Sequence, residues 1–263
     1  MIRWNTNTAL STAAFCLLLG LMPQAETLAA EAEAKSLLKA MSDYLASQKA
    51  ISFAYDSNLE VVTKDHQKLL LASSGKIELG RPDKLRATRF GGFANVEMVF
   101  DGKTVTLLGK DTNLYTQVEV PGTVENLVDE MREKLRKPVP GADLLLPDAY
   151  DSLLEGVTDV KDLGSGVIGG VECDHLAFRA KDVDWQIWIA QGDTPRPCRY
   201  VITASQIDQA PQYSIQISDW KTGVDVAAQD YSFANATGAK RVDMKDLANI
   251  DELPDHLTMG DGK

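Results

Sequence analysis

Apolar and polar residues alternate along much of the sequence. The alternation runs through residues 53–61 and 69–79, on either side of a short polar break. A period of two is typical of strands that bury one face, so these two segments predict a long hairpin. Turn sequences at 81–83, 91–92 and 101–102 divide the following residues into further strands. Because such turns leave no room for crossover helices, we expect an antiparallel sheet.

A period near four marks two other segments. In residues 31–48 the apolar positions recur at helical spacing, which predicts a helix with one face to bury. A helical insert at about 123–155 interrupts the strands, and its first part ends at Pro138 and Pro140. Strands resume after the insert. The pattern therefore predicts an α+β fold of roughly three helices and about ten or eleven strands, and a sheet of that length would curl.

Residues 1–29 have the layout of a secretory signal peptide. Arg3 precedes an apolar run at 9–22, and the small residues Thr27 and Ala29 stand before a cleavage point near Ala30. The run is short for a membrane span. An uncleaved anchor is the alternative interpretation. We expect a soluble exported protein, and not an integral membrane protein.

The remaining chain, residues 30–263, is long enough for one large domain or two small ones. Loss of Arg3 and Glu26 with the signal peptide leaves the net charge at −11. A chain this acidic has little means of neutralising phosphate groups. Nucleic acid and anionic membrane surfaces are therefore poor partners.

The mature chain keeps two cysteines, Cys173 and Cys198. In an oxidising compartment an even pair favours a disulfide, and we expect one here. Neighbouring strands would bring the two close together. An intervening strand at 185–190 would instead hold them about 9 to 10 Å apart, too far to bridge unless the loop at 194–197 folds over.

The stretch CDHLAFRAKDVDWQIWI, residues 173–189, collects a thiol, an imidazole, carboxylates and two indoles, as a metal or catalytic site would. Strand alternation puts Cys173 and His175 on one face and Asp174 on the other. Two convergent ligands fall short of a zinc or copper site, so we predict no metal and no cofactor. The three histidines of the chain lie in no nucleophile or zinc motif, and we predict no catalytic residues.

Five parts of the sequence carry a family resemblance: RPDKLR at 81–86, FDGKTVTLL at 100–108, PGTVENLVDEM at 121–131, CDHLAF with DWQIWI within 173–189, and PQYSIQISDW at 211–220. Together they resemble the periplasmic proteins of domain-of-unknown-function family 2092. That family is similar to the lipoprotein carriers of the LolA and LolB type, whose fold is an unclosed antiparallel half-barrel with helices over its concave apolar face. The resemblance implies a single periplasmic domain of this fold, and it brings no catalytic residues.

A concave apolar face under helices would suit acyl chains. We therefore expect a binding or carrier protein for an apolar ligand such as lipid or lipoprotein acyl chains. The candidate ligand contacts are apolar and aromatic residues of the strands and the insert: Phe53, Tyr55, Leu127, Met131, Phe178 and Trp185. A filled core is the alternative for each of them. Two other functions stay open. The second in rank is the binding of an envelope protein partner through the same half-barrel, and the third is a hydrolase that uses a carboxylate pair.

Overall fold

One curved, unclosed sheet forms the frame of the protein. The computed structural model describes residues 22–92, 94–133, 140–227 and 230–244. Its strands are β1 (Ala50–Val62), β2 (Lys68–Gly80), β3 (Lys84–Gly91), β4 (Ala94–Phe100), β5 (Thr104–Gly109), β6 (Leu114–Glu119), β7 (Asp159–Ile168), β8 (Val171–Arg179), β9 (Val183–Ala190), β10 (Pro197–Ala204), β11 (Gln212–Thr222) and β12 (Lys240–Arg241). Over the described residues their order in the sheet is β12-β6-β5-β4-β3-β2-β1-β11-β10-β9-β8-β7.

Two antiparallel meanders build this sheet, as the turn sequences predict. The first runs from β1 to β6, and the second runs from β7 back to β11, which pairs with β1 in the middle. β6 and β7 therefore lie near opposite edges, and the chain between them must cross the whole sheet. The short β12 pairs with β6 in parallel, so it is the exception to the predicted antiparallel arrangement.

The helices lie before the first meander, between the two, and after the second. They are α1 (Met22–Ser47), α2 (Val124–Glu133), a 3-10 turn (Ala142–Leu145), α3 (Ala149–Leu154) and α4 (Val224–Ala227). The apolar spacing predicts a buried stripe on each of the two longer helices. In α1, Leu38, Met41 and Leu45 are buried and Leu37 and Tyr44 partly so. In α2, Val124, Leu127, Val128 and Met131 are buried, and the last predicted member, Leu135, lies outside the described residues. α1 begins earlier than the predicted residue 31. None of the described helices is long and apolar enough to cross a membrane.

Strand alternation gives the sheet two chemically different faces. We call the side that meets α1, α2 and α3 the concave face, and the opposite side the outer face. In β1, Phe53 and Tyr55 point to the concave face, where they lie beside Ile77 and Gly75 of β2. Asp56 and Glu60 point to the outer face. The predicted alternation of the first hairpin is confirmed by this pairing.

Residues 224–227 and 230–241 lie on the outer face of the first meander. α4 packs against β1, β2 and β11, and the ring of Phe233 lies 5.0 Å from that of Tyr115. The pattern predicts a strand at 231–233, and this prediction is wrong. The segment packs across the strands with its side chains, and Arg86 donates hydrogen bonds to its backbone carbonyls, so it does not pair along a strand.

Candidate ligand-binding site on the concave face

Helices cover one part of the concave face completely. α1 lies against β7 and β9, and α2, the 3-10 turn and α3 continue the cover. Beneath them, the side chains of the strands are buried and form one hydrophobic cluster with the helical stripes. We call these strand positions the covered half: Ile51, Phe53, Leu79, Leu85, Phe100, Val105, Leu176, Phe178, Trp185, Ile187 and Tyr200.

Much of the rest of the concave face is only partly buried, although Ser57, Val61 and Ala94 on this face are buried. In this part Leu59 lies between Leu71 of β2 and Tyr213 of β11, two strands that flank β1. We call these positions the open half: Tyr55, Leu59, Leu69, Leu71, Arg89, Val96, Ile202 and Tyr213. The open half is a largely apolar surface that continues directly from the buried cluster.

α2 covers the sheet while held at both of its ends. At its start the backbone N–H of Val124 donates to the carbonyl of Pro82 at 2.9 Å. At its end Arg132 forms an ion pair of 2.6 Å with Asp143 in the 3-10 turn. The residues between these anchors contact the core through apolar side chains such as Leu127.

Polar groups of the open half gather around Gly75. The ring of Tyr55 lies over this glycine, where an added Cβ would stand 2.6 Å from the ring. The hydroxyl of Tyr55 donates to the carbonyl of Thr88 at 2.9 Å. Arg89 is the β3 partner of Gly75, so its side chain leaves the sheet on the same face. An arginine and a phenol thus lie side by side on an otherwise apolar surface.

The two phenols of the open half stay protonated at neutral pH. Burial raises the pKa of Tyr55 to about 12, with a further increase from Tyr213 and a decrease from the charge of Arg89. Burial also raises the pKa of Tyr213, against decreases from its hydrogen bond with Ser57 and from Arg89. Neutral phenols beside a permanent cation give this part of the surface hydrogen-bonding groups and one positive charge.

The structure divides the predicted ligand contacts between the two halves. Five of the six lie in the buried cluster: Phe53, Leu127, Met131, Phe178 and Trp185. Phe178 and Trp185 already stack on each other, with their ring centroids 3.8 Å apart. Tyr55 lies in the open half. The roles of all six as ligand contacts stay predictions.

Sequence reasoning misses Arg89 and Tyr213. Arg89 has the same alternation parity as Leu85 and Ala87 in the segment KLRATRF, and this parity is a signal that would place it on the concave face. The position of Tyr213 depends on the pairing of β11 with β1. Strands so far apart in sequence leave no local pattern that reveals such a pairing.

The cysteines lie on the outer face, away from the open half. β9 separates the strands of Cys173 and Cys198. The register of β10 shifts between Pro197 and Arg199, and the two cysteines lie in one small buried cluster with Ala190. Both are buried as free thiols, and burial is the largest cause that raises the pKa of Cys173 to about 12. The predicted disulfide is therefore not confirmed.

His175 packs as an ordinary structural side chain. Its ring stacks on Trp188 with 3.9 Å between centroids, and its Nε2 lies 2.9 Å from Oε1 of Gln186. Among the described residues, no group of three or more His, Cys, Asp and Glu side chains could hold a metal ion. The geometry of the stretch at 173–189 is that of two packed strands.

Fold and site together define a class, the unclosed antiparallel half-barrel with a partly open apolar concavity. The sequence matches the family described as "Predicted periplasmic protein (DUF2092)" over residues 34–245. This match spans more than half of the chain, and the protein belongs to that family. No curated protein shows a significant match.

Several solved structures align with this chain at low identity. The lipoprotein LppX of Mycobacterium tuberculosis is 13% identical, with a TM-score of 0.46 over 74% of this chain and 99% of LppX. A MucA/MucB complex of Pseudomonas aeruginosa gives 14% identity and a TM-score of 0.42 over 73% and 58% of the two chains. The LolA superfamily protein NE2245 of Nitrosomonas europaea gives 11% and 0.34 over 76% and 99%.

Proposed function

We propose that this protein is a periplasmic binding or carrier protein that holds an apolar ligand, such as lipid or lipoprotein acyl chains, on its concave face. The open half carries the proposal, because Leu59, Leu69 and Leu71 remain partly exposed beside a fully buried core. Covering them with an acyl chain would contribute roughly 25 cal/mol per Å² of buried apolar surface. Ligand sites are typically concave and apolar with a few polar groups, as this surface is.

Export to the periplasm is part of this proposal, and the family description supports it. Residues 1–21 of the predicted signal peptide lie outside the described residues. Among the α1 side chains that the structure describes, those at 28–33 are not buried and that of Ala34 is. Cleavage near Ala30 would therefore remove no described core side chain. Sequencing of the exported protein should find a new N-terminus near Ala30, and a retained Met1 would refute this.

A matched pair of neighbouring leucines tests the proposed site. Leu71 lies in the open half, whereas Leu70 points to the outer face and is 62% exposed. Binding of the fluorescent fatty acid cis-parinaric acid should weaken about tenfold or more in Leu71→Asp, since burial of one leucine side chain contributes about 1.5 to 3 kcal/mol. Leu70→Asp should bind like the wild type.

Two results would contradict the proposal. One is a wild-type protein that binds no apolar probe. The other is an equal loss of binding in the two variants, because that would show a general effect of the added charge. Denaturant unfolding of both variants provides the control, and we expect losses of about 1 kcal/mol or less at these partly or largely exposed positions.

A protein partner is the second candidate function, and two exposed apolar side chains on the outer face favour it. Leu70 is 62% exposed and Phe90 is 64% exposed. A shallow pocket of about 300 Å³ lies beside Phe90, lined also by Ala72, Ser73, Ser74, Gly91 and Gly92. A photo-crosslinking residue at position 70 should capture a protein if this function is correct. The same residue at position 71 should capture lipid if the first function is correct.

A further inference from the structure

Arg89 is exceptional for its position in the sheet. By the strand registers, it is the one charged residue among the concave-face positions of β1 to β6 in the described chain. The other charged side chains of these strands, such as Lys76, Glu78 and Glu97, point to the outer face.

The surroundings of Arg89 match a site for one small anionic group. Tyr55 fills the space over Gly75, next to Arg89, and the bond to Thr88 fixes its ring in that place. On the neighbouring row of the same face, the hydroxyls of Ser57 and Ser73 are 2.9 Å apart. Apolar positions of the open half lie beyond this row. A ligand that fits the surface therefore combines one anionic end with an apolar body.

The net negative charge of the protein increases the importance of Arg89 for the binding of an anionic ligand. The net charge of −11 gives no general attraction for anions. An anionic ligand must therefore gain its electrostatic free energy from a local contact. A guanidinium group can donate two parallel hydrogen bonds to a carboxylate or a phosphate, which makes it well suited to that contact.

We propose that the open half binds an acyl lipid with an anionic head group, with the head on Arg89 and the chain along Leu59 and Leu71. This inference rests on the proposed function and names the ligand class for the same surface. The ring of Tyr55 fills the space over Gly75, so it keeps the head group from that space and directs it to Arg89. Ligands that lack the anionic head bind the same apolar surface more weakly.

Two probes of equal chain length separate the head from the chain. Wild-type protein should bind cis-parinaric acid about tenfold more tightly than its neutral methyl ester at neutral pH, as one charge-assisted hydrogen-bond pair would give. Arg89→Gln should bind both probes with the affinity that the wild type has for the ester. Arg89→Lys should keep part of the preference, because it keeps the charge but loses the paired hydrogen bonds.

The matched control is Arg179→Gln, which removes the same charge from the outer face, where Arg179 is 61% exposed and pairs with Asp184. It should keep the wild-type preference. A wild type that binds both probes equally overturns this inference alone, as does an Arg89→Gln variant that keeps the preference. Displacement of the probe by inorganic phosphate would also overturn it, because a free anion would then suffice. Binding of neither probe would overturn the proposed function as well.

Discussion

The covered half and the open half lie on one face of one sheet, yet they differ in what touches them. In the covered half, side chains such as Trp185 and Leu79 are buried beneath the helices and among other apolar side chains. In the open half, Leu59 and Leu71 follow the same alternation but stay partly exposed. Strand pattern alone gives both halves the same apolar character. Apolar positions that the helices cover become part of the core. Apolar positions beyond the helices stay accessible to solvent or to a ligand.

The polar groups show the same division. The covered half contains no charged side chain among its eleven positions defined above, whereas the open half contains Arg89. Removing a charge from water costs several kcal/mol in a closed core. A charged side chain is better tolerated where part of it still contacts water. Arg89 is half-buried, which fits a surface that is only partly closed.

The largest expected difference between the halves is in stability. Trp185 stacks on Phe178 at 3.8 Å and meets Tyr200 edge-on at 5.8 Å. Trp185→Ala should lower the free energy of unfolding by about 4 kcal/mol, because it opens a large cavity in a buried cluster. Leu71→Ala in the open half should cost about 1 kcal/mol. Urea unfolding measures both values, and equal losses would remove the distinction between the halves.

A disulfide would further stabilise the strands behind the covered half. We expect Cys173 and Cys198 to oxidise in the periplasm, since the two residues lie in one buried cluster and an oxidising compartment favours a bond between paired thiols. Closing this loop should raise the free energy of unfolding by about 3 kcal/mol relative to the reduced protein. Affinity for an apolar probe should not change, because the thiols lie on the outer face. Titration of two free thiols in the unreduced, denatured protein would contradict this prediction.

The packing of Tyr55 over Gly75 can be broken by one methyl group. A Cβ at Gly75 would lie 2.0 Å from the Thr88 carbonyl oxygen and 2.6 Å from the Tyr55 ring. Gly75→Ala should therefore cost between about 2 and 3 kcal/mol of unfolding free energy and weaken probe binding. Gly92→Ala is the matched control, because nothing lies within 4 Å of an added Cβ there. Similar unfolding midpoints for the two variants would argue against this packing.

Alkaline pH should lower the free energy of unfolding through the ionisation of Tyr55 in the open half. Burial raises its pKa from 10.0 in the unfolded chain to about 12 in the folded protein. The protonated phenol therefore contributes stability that is fully present below pH 10 and is lost as the pH rises to about 12. Relative to Tyr55→Phe, which cannot ionise, the wild type should lose about 2 kcal/mol over that interval. Parallel pH profiles for the two proteins would show that the phenol is not buried as described.

Local patterns in the sequence predict the strands and helices well. The alternation at 53–61 and the stripe on α2 both appear in the structure as predicted. The neighbours of a strand are harder to predict, because the pairing of β1 with β11 joins residues far apart in sequence. The open half depends on that pairing. Its residues Leu59 and Tyr213 are adjacent only because the second meander returns to the middle of the sheet.

The most direct test is native mass spectrometry of the protein recovered from its own periplasm. The central claim is that the open half holds an apolar ligand, so the wild type should carry additional mass that dissociates as a lipid. Leu71→Asp should lose this mass, and Leu70→Asp, on the outer face, should keep it. A wild-type protein that carries no lipid, and that also fails to take up lipid from vesicles, would contradict the claim.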